Sequence, residues 1–223
     1  MNSEPIKSTF QQWTLAELRK VFGLTQAAEV PEMDLWVSAT HPIPEKYFAG
    51  IETLRLSLKD HYAVWNEIEL RTEFIGPILA LVSFQGEEYS AFSGRNLSGR
   101  VNDHEISGEV DWMAATGWGI PETPLFFLHE YKKNIPGSAD PTAQLLSTML
   151  VAQTLNGDEH PMYGCLVVGR IWSFCVLKGN RYGVSVSFDA TDPTELPGIW
   201  SVLQETKNRI VKRVAELQAE GKA

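Results

Sequence analysis

With 223 residues, of which 43% are hydrophobic, 10% aromatic and 21% charged, the chain has the composition of an ordinary globular protein with one sizeable core, which excludes disordered and fibrous classes. A net charge of -9 at pH 7 excludes a protein that grips nucleic acid through its overall field, so any phosphate contact needs local positive charge. Cys165 and Cys175 lie in apolar segments without C-x-x-C spacing, the N-terminal MNSEPIKSTFQQW does not resemble a signal peptide, and no run nears the roughly 18 apolar residues of a membrane span; buried free thiols, no structural zinc and a cytoplasmic location are expected.

In chain order, Thr14 and Glu17 have the spacing of a capping box, and Leu15, Leu18, Val21 and Phe22 recur at helical intervals, which predicts a short helix over 14–22. Val30 to Asp34 reads as a Pro- and acid-containing connection, and a second helical pattern follows from about Pro44 to Tyr62. Residues 1–62 are thus expected as a helical lead-in packed on a core spanning 63–223, within one structural domain. Asn66 to Leu81 is amphipathic, with Glu67, Leu70, Phe74 and Ile78 on one face, and Pro77 is expected to kink its later part.

The turn-rich stretch from Ser90 predicts a hairpin that bends at Asn102-Asp103 and ends near Ala114, with SGRNLSGR as a flexible loop beside it. Pro124 to Lys132 reads as a buried strand that turns polar only at its end. Asp140 caps a helix with Pro141 at its first position, apolar on most faces and running to about Asn156. Strands Met162 to Val168 and Ile171 to Leu177 share a tight turn at Gly169-Arg170, and a terminal helix spans about Leu196 to Gln218 before a frayed polar tail.

Chemistry gathers at the polar strand end. Side chains two apart on a strand share a face about 7 Å apart, so Glu130 and Lys132 in HEYK stand side by side while Tyr131 faces the other way. Asp111 ends the preceding strand in GEVDW, with Val110 and Trp112 turned to the core and Asp111 away from them, and an antiparallel neighbour can bring it near Glu130. Glu67 is a third carboxylate, on an apolar helical stripe. Such carboxylates suit a hard cation, and the ammonium suits an attacking water. Taken singly, each has a plain structural reading: Glu130 and Lys132 as an ion pair, Asp111 as a strand-end residue, Glu67 as the partner of Arg71 one turn on.

The order of helix, hairpin ending in Asp, strand ending in E-x-K, helix and strand resembles the αβββαβ core of the PD-(D/E)XK nuclease superfamily. WNEIELRTEFIGPIL resembles its first helix, GEVDWMAA its Asp strand with Val110 in place of the usual proline, and LFFLHEYKK its E-x-K strand. DPTAQLLSTMLVAQTLN resembles the following helix, with Gln144 at a recurrent glutamine, and YGCLVVGRIWSFCVL the closing hairpin of a group of uncharacterised bacterial members. The resemblance implies a restriction endonuclease-like α/β fold, a central mixed β-sheet flanked by helices, with extra N-terminal helices and a C-terminal helix.

It further implies a Mg²⁺-dependent nuclease, Mn²⁺ serving as substitute, that hydrolyses phosphodiester bonds of DNA in restriction or repair. Asp111 and Glu130 would ligate the metal with the Tyr131 carbonyl, Lys132 would position the water, and Glu67 would support the site. Gln144 would orient Lys132 or touch the substrate, or else be a buried helix-capping residue. Arg95, Arg100 and Lys133, with Arg170, could form a basic rim for phosphates, whereas the histidines, His129 included, are expected to be structural or solvated. Nucleic acid is the expected partner, a homodimer is compatible with the resemblance, and no membrane is involved. The competing expectation is a catalytically inactive module of the same fold that binds nucleic acid or a protein.

Overall fold

In the computed structural model, which describes residues 4–133 and 140–221, the apolar runs in the middle of the chain become the centre of one mixed sheet. Its strands are β1 (Ile6–Thr9), β2 (Thr25–Gln26), β3 (Ser90–Val101), β4 (His104–Thr116), β5 (Glu122–Lys132), β6 (Met162–Val168), β7 (Ile171–Lys178), β8 (Arg181–Val184) and β9 (Phe188–Asp189). They run in the order β1-β4-β5-β6-β7-β8-β2, with β3 along the other side of β4 and β9 against β7. β3, β4 and β5 are antiparallel and β5–β6 is parallel, so a crossover must join the last two.

Seven helices surround the sheet among the described residues: α1 (Leu15–Phe22), α2 (Pro31–Val37), α3 (Phe48–His61), α4 (Glu67–Leu70), α5 (Gly76–Val82), α6 (Pro141–Asn156) and α7 (Leu196–Ala219). On one face, Trp36, Ile51, Leu58, Phe74, Ile78, Ile199 and Val202 bury Phe127, Trp172 and Phe174. On the other, Leu145, Leu146 and Met149 of the crossover helix α6 pack on Met113 and Leu128, with Phe10 and Leu18 in the same cluster. Covered by the sheet below and by the chain around Phe10 and α1 above, α6 is buried around most of its circumference, as its apolar sequence predicts. Gly164 permits this approach, because a Cβ there would stand 2.7 Å from Met149 Sδ. None of the described helices is long and apolar enough to cross a membrane.

Several local expectations hold. Thr14 accepts the Glu17 N–H and Glu17 reaches back to the Thr14 N–H, so α1 starts on its capping box. Asn102, in the left-handed region at φ 53°, turns β3 into β4. Asp140 caps α6 with Pro141 in the first turn, α7 spans its expected range, and both cysteines are buried and free. The expected frayed tail lies partly outside the described residues.

Other expectations need correction. Residues 1–62 are more than a helical lead-in: β1 pairs with β4 from Ile6↔His104 and β2 pairs with β8, because each finds an open strand edge. The stretch after Val30 folds as α2, started by Pro31 at its first turn and anchored by Trp36, whose Nε1 donates to Thr206 Oγ1 at 2.9 Å. SGRNLSGR is no loop, since β3 pairs with β4 from Ser90↔Ala115 to Val101↔His104, and the ladder outweighs turn propensity. The irregularity near Pro77 is a π turn at Arg71–Ile75, where the Gly76 N–H donates to Arg71 O. That wider turn accommodates the missing N–H and the ring of Pro77. Val110 and Trp112 are both buried, but in the clusters on opposite faces.

Candidate functional site

The β4–β5 ladder runs from Thr116↔Glu122 to Trp112↔His129 and stops there. Two residues beyond His129, the Tyr131 N–H has no strand partner on that side and donates to Asp111 Oδ2 at 2.8 Å. The N–H and C=O of one strand residue point to the same edge, so the Tyr131 carbonyl opens towards the same gap. Its side chain, 1% exposed, is in the core.

Glu130 is 3% exposed, and Lys132 Nζ stands 2.5 Å from its Oε1. The contact has ion-pair distance without hydrogen-bond angles, and Oε1 is a buried acceptor left without a hydrogen bond. Burial pushes Glu130 up to about 8, the charge of Asp111 adds to the rise, and Lys132 only partly offsets it. Asp111 is raised by burial against the pull of the Tyr131 N–H, Lys132 and Arg71. Glu67, half-buried at the start of α4, is raised chiefly by burial, and Lys132, Asp111 and Arg71 all reach it electrostatically. For Lys132 burial acts to lower the pKa, yet Glu130, Glu67 and Asp111 together hold it above its ordinary value. Its ammonium therefore stays charged.

The fold thus brings Asp111, Glu130, Lys132, the Tyr131 main chain and Glu67 into one electrostatic neighbourhood. Arg71 joins them, its Nη1 3.9 Å from Asp111 Oδ1. Sequence reasoning considered Arg71 only as a partner for Glu67; the signal for more was a single cation on the helix that carries Glu67, Glu69 and Glu73.

Among the described residues, the other expected site residues make no hydrogen bond or ion pair with Asp111, Glu130, Lys132 or Glu67. Gln144 is 6% exposed in the first turn of α6, and its side-chain amide makes no hydrogen bond to Lys132. Arg95 is exposed on β3 opposite Val110, with Nη2 3.5 Å from Gly119 O. Arg100 is five residues further along, about 16 Å at the usual strand rise, and holds Asn102 O and Asp103 at the hairpin tip. Lys133 is half-buried directly after β5. Arg170 pairs with Asp189 at 3.4 Å and lies over the Tyr62 ring. His129, 1% exposed and pushed down to about 3 by burial, is a neutral core residue packed edge-on against Trp112, Phe127, Tyr131 and Trp172.

Among the described residues no group of three or more His, Cys, Asp or Glu side chains is disposed to hold a metal ion. The oxygen donors around the gap are the Asp111 and Glu130 carboxylates and the Tyr131 carbonyl, with Glu67 nearby. Fold and site together define an α/β protein whose large mixed sheet is flanked by helices, with a buried carboxylate–lysine cluster where two central strands part. Compared with known proteins, the chain matches no family model and no curated protein.

Proposed function

We propose that the chain is a divalent-cation-dependent phosphodiesterase of the PD-(D/E)XK type that hydrolyses DNA. The observation that carries this reading is Glu130: a carboxylate 3% exposed and pressed by the charge of Asp111, raised to about 8 even with the Lys132 ammonium 2.5 Å from its Oε1. Such a group is costly to ionise unless a further cation completes it. The chain order supports the reading too, since the α4–α5 helix, antiparallel β3-β4-β5, crossover α6 and parallel β6 follow the αβββαβ sequence.

Asp111, Glu130 and the Tyr131 carbonyl would hold Mg²⁺ or Mn²⁺, with Glu67 in support; oxygen donors of this kind suit both ions. When bound, the cation polarises a phosphoryl oxygen and makes its bound water more acidic. Without a cation, Lys132 is held protonated by its carboxylate neighbours. Its ammonium would orient the nucleophile and donate to the negative charge developing on the phosphoryl oxygens. Arg71 offers a second cation for the phosphate, and Arg95 and Lys133 could extend contact along the DNA backbone.

The test is cleavage of supercoiled plasmid, single-stranded DNA and RNA with Mg²⁺ or Mn²⁺, in wild type and Lys132→Ala. Loss of the ammonium should lower the rate by about 10² to 10⁴-fold while metal binding is retained. Cleavage by Lys132→Ala at the wild-type rate would sink the role given to Lys132. A second reading, a non-cleaving module of the same fold, draws on the net charge of -9 and on the hold of Lys132 on Glu130. Wild type that binds metal and cuts none of the three substrates would make that second reading the better one.

A further inference from the structure

In a straight strand the residues on one face are an even number apart, and neither β3 nor β4 keeps to this along its whole length. On β4, Ile106, Val110, Met113 and Ala115 lie in the cluster on the α6 side, whereas Trp112 and Ala114 lie in the cluster on the other, so the strand reverses its faces between Val110 and Trp112. On β3, Phe92 and Leu97 both lie on the α6 side although an odd number of residues apart, so β3 reverses between them. The register from Ser93↔Trp112 to Arg95↔Val110 sets Gly94 opposite Asp111, and the ladder skips that pair alone. Gly94 also has a positive φ, 59°. The two reversals therefore meet at Gly94 and Asp111.

This joint reversal decides where Asp111 points. In an unbroken β4 its carboxylate would stand on one face of the sheet, with Val110 and Trp112 together on the other. With those neighbours on opposite faces, it leaves along the sheet plane towards the edge where β4 and β5 part. There Oδ2 accepts the Tyr131 N–H at 2.8 Å, and Oδ1 stands 3.9 Å from Arg71 Nη1. A strand N–H points in the sheet plane, so only a carboxylate turned into that plane can meet it. A φ near 59° is open to glycine and costs other residues more, β-branched ones most of all. Room does not explain the glycine, because a Cβ there would meet nothing nearer than Glu109 Oε1 at 3.4 Å.

We infer that Gly94 is a positioning residue of this site: its left-handed backbone lets β3 reverse together with β4, and the joint reversal aims the Asp111 carboxylate into the gap instead of onto a sheet face. Gly94 touches neither cation nor substrate and acts through Asp111. The aim of Asp111 stands on geometry alone, whereas its consequence for a cation rests on the phosphodiesterase reading, which it deepens.

The test uses the full chain labelled with nitrogen-15 tyrosine, whose six tyrosines give few amide signals. Tyr131→Phe assigns the Tyr131 signal, and Asp111→Ala shows where it falls without its acceptor. Gly94→Val should move it to the Asp111→Ala position while the Tyr163 and Tyr182 signals, on β6 and β8, stay in place. Calorimetry should show Mn²⁺ binding weakened by about 10- to 100-fold, the usual effect of losing a group that orients a ligand. Gly94→Asn, which tolerates the left-handed region, should bring both readouts back towards wild type. If circular dichroism shows Gly94→Val misfolded, Gly94→Ala takes its place, and an unfolded Gly94→Ala overturns the proposal, because the glycine then holds the sheet and not one carboxylate. A Tyr131 signal unmoved in Gly94→Val also overturns it, as does Gly94→Asn moving that signal as far as Gly94→Val. A Tyr131 signal that moves while Mn²⁺ affinity does not upholds the aim of Asp111 and removes Asp111 from the metal ligands. Wild type that binds no Mn²⁺ overturns the phosphodiesterase reading, and the Tyr131 signal still decides on Gly94.

Discussion

Glu130 and Lys132 are two residues apart, share a strand face and respond to burial in opposite ways. The lysine is held charged by three carboxylates, whereas the glutamate is raised to about 8 from an ordinary 4.5, first by burial and then by Asp111. Between those two values the native chain holds a proton that the unfolded chain has released. Without divalent cations, the contribution of Glu130 to stability is therefore full below about pH 4.5 and is lost as pH rises towards 8, at up to about 1.4 kcal/mol per pH unit. Glu130→Gln carries no such proton, so it should flatten the dependence and be the more stable of the two proteins at the alkaline end. Urea unfolding in EDTA at several pH values checks this, and parallel curves for the two proteins would contradict it. The thiols behave otherwise: burial raises both Cys165 and Cys175, leaving them inert packing residues.

At the scale of elements, α6 shows how one side chain joins two helices. Asp140 Oδ1 accepts the Ala143 N–H at 3.0 Å, the ordinary cap, while Oδ2 accepts the Leu15 N–H at 3.1 Å from the first turn of α1. Asp140→Ala orphans both donors and should cost about 1 to 2 kcal/mol, the upper range for a lost cap. Asp140→Asn keeps one acceptor oxygen and should lose less. The urea midpoint measures both, and an alanine variant within error of wild type would show that water replaces the carboxylate at no cost. The π turn ahead of α5 is a second element-level device. It rests on Gly76, where a Cβ would stand 2.9 Å from Arg71 O, and it sets the phase of the helix that carries Glu67 and Arg71 towards Asp111.

For the whole molecule, repulsion among Asp111, Glu130 and Glu67 couples the site to the stability of the fold. Under the proposed function, a divalent cation that binds only the native state stabilises it by about 2.7 kcal/mol at a hundredfold excess over its Kd. For a chain of this length that corresponds to a rise in Tm of roughly 5 to 10 °C. Thermal unfolding with Mg²⁺ or Mn²⁺ should show the rise in wild type and lose it in Asp111→Asn plus Glu130→Gln. Equal rises in both proteins would locate the binding away from this cluster.

Where local physics is sufficient, the sequence by itself determined the outcome. Capping residues at Thr14 and Asp140, Pro141 in a first turn, the apolar run of α6 and the Asn102 turn all specify their neighbours in the chain. The same holds for the pairing of Glu130 with Lys132, because a strand's two-residue period needs no distant partner. Only the tertiary structure decided that Ile6–Thr9 and Thr25–Gln26 are strands, since each exists through hydrogen bonds to a partner that lies far away in sequence, while SGRNLSGR is a strand because its hairpin ladder overrides its turn residues. It also brought Arg71 to 3.9 Å from Asp111 as well as near Glu67, and put Arg100 at the hairpin tip. The gap at Asp111 belongs to this second group. It forms because β4 leaves β5 after Trp112↔His129 while β3 and β6 continue to hold their outer sides, a balance of ladders that no single segment encodes.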